Sequence, residues 1–545
     1  MIRRLTMSVV ALVLLASFAN ASSKPLLTRH VRDVAVNGVA PIVGHLPASQ
    51  TMRLVIVLPI RDQQGLDSFL KDLYDPSSTN YKHYLTVSEF TERFGPTAGD
   101  YATVMNFAKQ NGFEVVGTSI NRMNIDVKGT VSTIEAAFHV SMNVYQHPYE
   151  SRTFYAPDRE PSVDLPIQLW HITGLDNYSI PKPMLSRRDQ HPEAKPPATT
   201  GSCPGKSFCG SDMRAAYYGS KSLVGAGQTV GLLEYLGTDL ADLKTYYTNA
   251  KQTLHVPVTL LSVDHTSTSC LASRGCDDTE QTLDMTQAMG MAPGLKGLTM
   301  YVGSTDSALL NGMATGSGKP LAYNLSSSWY WNPADPTTDD PYFEEMQTQG
   351  QSFFDAAGDG GDWQRSGSIW PSDDANVIGV GGTDLTTASA GGKWSSETVW
   401  SDGGGGISPN KIAIPSWQVT TAAGCSKCSQ TLRNGPDVSA NSNFTFYVCA
   451  DQTTCSENLY GGTSFAAPMW AGYIALANQQ AVAHGDPLVG FINPAIYDIG
   501  LGSGYTTSFH DITSGSNGYS ATTGYDLASG WGSPNGAGLI NALAP

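Results

Sequence analysis

YGGTSFAAPMWAG, residues 460–472, is a run of small residues, a serine, and then an apolar stretch. Gly461 and Gly462 permit a tight turn. Pro468 suits the first turn of a helix, where its missing N–H costs little. The stretch predicts a strand-to-helix junction with Ser464 at the bend and a buried helix after it. A serine held at such a bend is a nucleophile candidate. Its hydroxyl is inert near neutral pH without a base, so what activates Ser464 decides how the rest of the chain is read.

Histidine is the usual base, and only His255, His265, His484 and His510 follow residue 200. His484 lies roughly 30 Å along a continuous helix from Ser464. His255 sits in the apolar run TLHVPVTL and reads as a satisfied strand histidine. His265 lacks glycine flanks, and there is no H-G-T-H stretch. Carboxylates are better placed. CDDTEQTLDMTQAMGMAPG, 276–294, reads as a helix entered at Asp277 or Asp278 and stopped by Gly290. Glu280 and Asp284 are four apart and share one face. Met285, Ala288 and Met289 are expected to face the core. Buried together, the two carboxyls would have a raised pKa and share a proton; exposed, they would be a solvated acidic face. In FFDAAGDGGD, 353–362, Asp359 follows an apolar run, where open α/β sheets gather their catalytic groups. An ordinary Asp-Gly turn is the alternative.

The chain has 545 residues, enough for two or three domains, and is 41% hydrophobic and 15% charged. Arg3 and Arg4, an apolar run from Val9 to Phe18 and Ala19-Asn20-Ala21 read as a signal peptide over 1–21. A membrane anchor is the alternative, but the run is short of the ~20 residues a span needs. A secreted, extracellular or periplasmic protein with no membrane partner is expected. Eight cysteines, all after residue 200, fall into four local pairs, as a disulfide framework would. Cys425-Ser-Lys-Cys428 could instead be a redox or zinc half-site. Up to residue 200 there are 19 Lys+Arg against 18 Asp+Glu; after it, 13 against 30. That imbalance disfavours nucleic acid and suits work at low pH.

Residues 186–201, SRRDQHPEAKPPATTG, read as a linker. Before it, strands at 52–60, 113–120, 124–130 and 142–146 alternate with helices at 66–74, 101–112 and 132–140. That pattern predicts a ferredoxin-like α/β unit. After it, apolar runs such as 228–235, 296–303 and 376–385 alternate with helical segments. They predict a doubly wound, mostly parallel sheet.

Together GGTSFAAP, Glu280-x-x-x-Asp284 and Ala357-Gly358-Asp359, in this order and without a subtilisin-type histidine, resemble the sedolisin, or serine-carboxyl peptidase, family. The resemblance covers nearly everything after residue 21. It implies an activation propeptide over 22–185, a linker with the maturation site over 186–201 and a subtilisin-like catalytic domain over 202–545. It implies a monomeric serine-type endopeptidase acting on proteins or peptides at acid pH through an acyl-enzyme. The propeptide would be its own chaperone and inhibitor. Ser464 would be the nucleophile, Glu280 the base, Asp284 its orienting partner and Asp359 a protonated oxyanion donor. The family also binds one calcium through two aspartates and backbone carbonyls. In FHDITSGSNGYSATTGYDLASGWGSPNG, 509–536, the matching positions are Asp511, Asp526 and the carbonyls of Ile512, Thr522 and Gly524. Thr522 replaces the usual glycine, which matters only if the position needs positive φ. Otherwise the loop is a turn-rich acidic surface. NLSSSWYW, 324–331, is similar to the strand beside the substrate, with Trp329 as a pocket wall or a core residue. A catalytically dead binding homologue and a histidine-dependent subtilisin-like peptidase are the competing classes.

Overall fold

The computed structural model describes residues 23–190, 200–331, 335–367, 369–452 and 455–545. The expected signal peptide and most of the expected linker lie outside them.

Thr51–Val57 (β1), Gln63–Leu73 (α1), Ala98–Gln110 (α2), Glu114–Thr118 (β2), Asn124–Thr130 (β3), Val131–Phe138 (α3) and His171–Thr173 (β4) build the amino-terminal unit. Its four strands pair antiparallel in the order β2-β3-β1-β4. That is the ferredoxin-like arrangement of two interlocked βαβ units. The strand at Met142–Gln146 is not its fourth strand. It joins Ile42–His45 and Thr153–Pro157 in a separate three-stranded sheet, and the short β4 takes the edge. Three residues without strong alternation leave little periodicity to read.

The second unit contains Thr229–Glu234 (β5), Val258–Ser262 (β6), Thr279–Met291 (α4), Gly297–Val302 (β7), Asn324–Ser327 (β8), Pro336–Thr348 (α5), Ser352–Ala356 (β9), Ile378–Thr387 (β10), Trp394–Val399 (β11), Val438–Asn441 (β12) and Ala466–His484 (α6). The sheet order is β6-β7-β5-β8-β9-β10-β11, with β12 also on β10. All neighbours are parallel except β10 and β11. Covered on both faces, β5 and β7 are mostly apolar, whereas the central β8 and β9 carry buried Asn324, Ser326, Ser327 and Asp355. In α6 every residue from Ala466 to Asn478 is buried, as an all-round apolar helix must be.

Two expectations need correction. Gly290 does not stop α4, which runs on to Met291. A Cβ at Gly290 would lie 2.4 Å from the carbonyl carbon of Gly210, so this glycine serves close helix packing. His255 is neither in a strand nor buried.

The two units dock through buried polar pairs around α5. Asn121 Nδ2 donates to Glu345 Oε2 at 2.7 Å and to Asn311 Oδ1 at 2.8 Å. Tyr342 Oη donates to Asn124 Oδ1 at 2.7 Å, and Tyr74 Oη to the Gln347 carbonyl at 2.8 Å. All four local cysteine pairs are closed, 203–209, 270–276, 425–428 and 449–455, which leaves Cys425 and Cys428 no thiolates to offer zinc. No helix of the described residues is long and apolar enough to cross a membrane.

Candidate active site

Ser464 lies in the turn Thr463–Phe465, between the short strand Tyr460–Gly461 and α6. The bend needs Gly462, whose φ is +146°. A Cβ there would stand 2.3 Å from the Met184 carbonyl oxygen and 2.7 Å from Asp359 Oδ2. Both oxygens therefore crowd one side of this glycine. Asp278 stands at the N-cap position of α4 with its carboxylate turned to Thr238, Asp239 and Asp451, which puts Glu280 in the first turn and Asp284 one turn on. Glu280 is 3% exposed and Asp284 fully buried.

The structure brings Ser464, Glu280, Asp284 and Asp359 together. Burial pushes the Glu280 carboxyl well up, the charges of Glu234 and Asp359 add to that, and the Ser464 hydroxyl opposes it. Asp284 is also pushed well up, by burial and then by Glu280 and Glu234. Ser328 Oγ donates to Asp284 Oδ1 at 2.9 Å, while Oδ2 has no partner. Neither Glu280 oxygen has a hydrogen bond of ordinary geometry. The reason is visible: Ser464 Oγ donates instead to the Met184 carbonyl at 2.6 Å. Such a cluster holds protons at pH values where ordinary carboxyls have lost them. Asp359 is raised to about 8, chiefly by burial. Its Oδ1 accepts from Thr463 N at 2.8 Å and Thr463 Oγ1 at 3.0 Å. Ser186 Oγ approaches Oδ2 at 3.3 Å.

A fourth carboxyl escaped the reading of the sequence. Glu234, fully buried at the end of β5, accepts from Trp329 Nε1 at 2.9 Å. Burial raises it too, while bonds with Trp329, Asp284 and Gln281 oppose the rise. The available signal was one acid closing the apolar strand TVGLLE. Trp329 is thus both buried and beside the cleft. Among the described residues no histidine hydrogen-bonds to Ser464: His484 meets the Pro545 carbonyl, and His510 stacks on Trp394 at 3.9 Å.

The chain itself fills the cleft. Lys182 and Pro183 pair antiparallel with Tyr330 and Trp329, and Met184 N donates to the Ser328 carbonyl at 2.8 Å. Beyond Met184, Ser186 and Arg187 pair antiparallel with Gly461 and Tyr460. The expected linker thus begins as an ordered strand. The Met184 carbonyl also accepts from Ser464 N at 3.3 Å, and the Met184 side chain is 4% exposed.

Asp511 and Asp526 converge on one turn. Gly524 N donates to both Asp511 oxygens at 3.2 Å, and Tyr505 Oη to Oδ1 at 2.9 Å. Thr522 N donates to Asp526 Oδ2 at 2.6 Å, and Ala528 N and Ser529 N to Oδ1, each at 2.9 Å. Among the described residues neither aspartate has an ion-pair partner. Gly524 has φ +79°, whereas Thr522 is not in the left-handed region, so a side chain is tolerated there. An all-oxygen donor set on a folded-back loop fits a hard cation.

A serine at a strand-to-helix bend, beside buried proton-holding carboxyls, is the arrangement that a serine hydrolase with a carboxyl base requires. Comparison with known proteins agrees. Residues 41–178 match the family described as "Pro-kumamolisin, activation domain". The chain is 28% identical to kumamolisin of Bacillus sp. (strain MN-32), over 96% of each chain. It is 28% identical to sedolisin of Pseudomonas sp. (strain 101), over 96% of this chain and 94% of that one. The solved structure of Pseudomonas sedolisin, a serine-carboxyl proteinase complexed with pseudo-iodotyrostatin, superposes with a TM-score of 0.51 at 27% identity. It covers 61% of this chain and 96% of that one. Over nearly its whole length the chain is thus similar to the serine-carboxyl peptidases kumamolisin and sedolisin, and its amino-terminal unit matches an activation domain.

Proposed function

We propose that the protein is an exported acid endopeptidase whose first substrate is its own Met184–Leu185 bond. The observation that carries this is the Met184 carbonyl, held by Ser464 Oγ at 2.6 Å and Ser464 N at 3.3 Å. Chain on both sides of the bond is paired to the cleft walls. A cleft open at both ends suits cutting within a chain.

In the resting arrangement the serine proton is committed to the carbonyl. Rotation of the hydroxyl towards Glu280 frees Oγ to attack the Met184 carbonyl carbon as Glu280 takes the proton. Charge then develops on the carbonyl oxygen, beside Ser464 N–H and the Asp359 carboxyl. A protonated Asp359 donates to it, and burial keeps that proton on up to about pH 8. As the C–N bond breaks, Glu280 gives its proton to the Leu185 amine. Water, deprotonated by Glu280, then releases the acyl group from Ser464. Asp284, held by Ser328, keeps Glu280 oriented. Until the cut, residues 182–187 exclude other substrates, so the propeptide is also the inhibitor.

The test is acidification of the purified precursor followed by amino-terminal sequencing during the first turnover. The expected new terminus is Leu185, one residue ahead of the linker read from composition. A first cut well inside 191–201 would contradict this assignment.

One calcium would be held by Asp511, Asp526 and the carbonyls of Ile512, Thr522 and Gly524. It would supply structural stability and take no part in the reaction. A ligand bound only by the folded state raises stability by mass action, ~2.7 kcal/mol at a hundredfold excess over Kd. Chelator is therefore expected to lower the melting temperature of the wild type by several degrees and to leave Asp526→Ala unmoved. An equal response, or none in either protein, would contradict the site.

A further inference from the structure

We infer that the cleft carries a subsite for a basic residue at the third position beyond the scissile bond, built on Tyr460. The inference rests on the Met184–Leu185 register proposed above. Counting from that bond, Leu185, Ser186 and Arg187 are the first three residues on the leaving side. The backbone fixes the third. Arg187 is the ladder partner of Tyr460, and Arg188 N donates to the Leu459 carbonyl at 2.9 Å. The Arg187 guanidinium lies 5.7 Å from the centre of the Tyr460 ring, within cation–π reach.

The surroundings are acidic. Asp277, just before α4, acts electrostatically on both the guanidinium and Tyr460. Asp451 acts on Tyr460 from the loop closed by Cys449 and Cys455. That loop is tied to the start of α4 in both directions. Asp278 N donates to Asp451 Oδ1 at 3.1 Å, and Asp451 N to Asp278 Oδ1 at 2.9 Å. Asp451 and Gln452 hold positive φ, +58° and +50°, which bulky residues adopt at a cost. The walls are therefore fixed by the same element that carries Glu280, and they do not depend on the propeptide. Arg187 also bonds Asp189 within its own segment, through Nη2 at 2.8 Å and Nε at 3.2 Å. A substrate without that aspartate offers its whole guanidinium to the subsite. A ring face keeps its attraction in acid, where carboxylates lose theirs, so an aromatic wall suits an acid enzyme.

The experiment uses acid-matured enzyme and amidated peptides spanning residues 180–187, in the native form and as Arg187→Lys, Arg187→Ala and Arg187→Glu. At about pH 5, kcat/KM is expected to fall roughly three- to tenfold from Arg to Ala and further to Glu, with Lys between Arg and Ala. In Tyr460→Leu the Arg-to-Ala ratio should approach one, and in Tyr460→Phe it should be kept. Equal kcat/KM for all four peptides in the wild type overturns the subsite, as does an undiminished ratio in Tyr460→Leu. The wild-type series decides the matter even if a Tyr460 variant does not fold. Cleavage at a bond other than Met184–Leu185 instead overturns the register, and is recognised by mass spectrometry of the products.

Discussion

The Ser464→Ala precursor is expected to remain a single chain at about pH 4, under conditions in which the wild type has matured completely. Loss of the nucleophile of a catalytic unit removes on the order of 10⁴–10⁶ of the rate. The substitution leaves the fold undisturbed by physical argument. Ser464 is fully buried, and its hydroxyl makes one hydrogen bond, to a carbonyl that keeps Ser464 N as a second donor. The same precursor should also be inert when mixed with active enzyme at concentrations where bimolecular cutting is negligible. Gel electrophoresis over time checks both. Maturation of the purified variant at the wild-type rate would show that another residue, or another enzyme, makes the cut.

Asp359→Ala is expected to lower kcat by on the order of 10²–10³, the usual effect of removing one oxyanion donor. Asp359→Asn should retain part of the activity, because an amide donates from nearly the same position. The pH dependence separates the roles further. Asp359 holds its proton up to about pH 8. As an oxyanion donor it acts below that value and fails as pH rises through it. In Asn this contribution to the alkaline limb disappears, so the limb moves up if Asp359 limits it. If Asn were as inactive as Glu280→Gln while correctly folded, Asp359 would be moving a proton and not merely donating a hydrogen bond. Full activity in both Asn and Ala would make Asp359 a turn residue.

Much of the fold was legible where periodicity and length agreed. The largely apolar strands β5 and β7, the apolar opening of β10 and the i, i+4 acids of α4 are local patterns, and local patterns survive folding. The short pairings were not legible. His171–Thr173 became a sheet edge and Ser186–Arg187 a cleft strand only because distant segments offered them partners, Val55–Val57 and Tyr460–Gly461. The composition of 186–201 suggested a linker, and hid that its first residues are docked in the cleft. In the site, Ser464, Glu280, Asp284 and Asp359 were each readable as candidates from turn chemistry and spacing. Their convergence is tertiary, and so is the place of the fourth carboxyl, Glu234, which one acid at a strand end could not announce. The histidines misled in the opposite direction. His255 looked like strand interior by its apolar neighbours, and is an exposed loop residue.

The central claim is that a buried carboxyl, and not a histidine, activates Ser464. The most direct measurement is kcat/KM of the matured enzyme on a peptide containing Lys-Pro-Met-Leu-Ser-Arg, followed from about pH 3 to above pH 8. A histidine base, with an ordinary pKa near ~6.5, is progressively protonated below pH 6 and its enzyme fades there. The carboxyl mechanism instead predicts activity that persists at about pH 4, where a histidine base is protonated, and that is lost as pH rises through about 8, where Asp359 gives up its proton. Activity that disappears below pH 6 and survives unchanged above pH 8 would contradict the account.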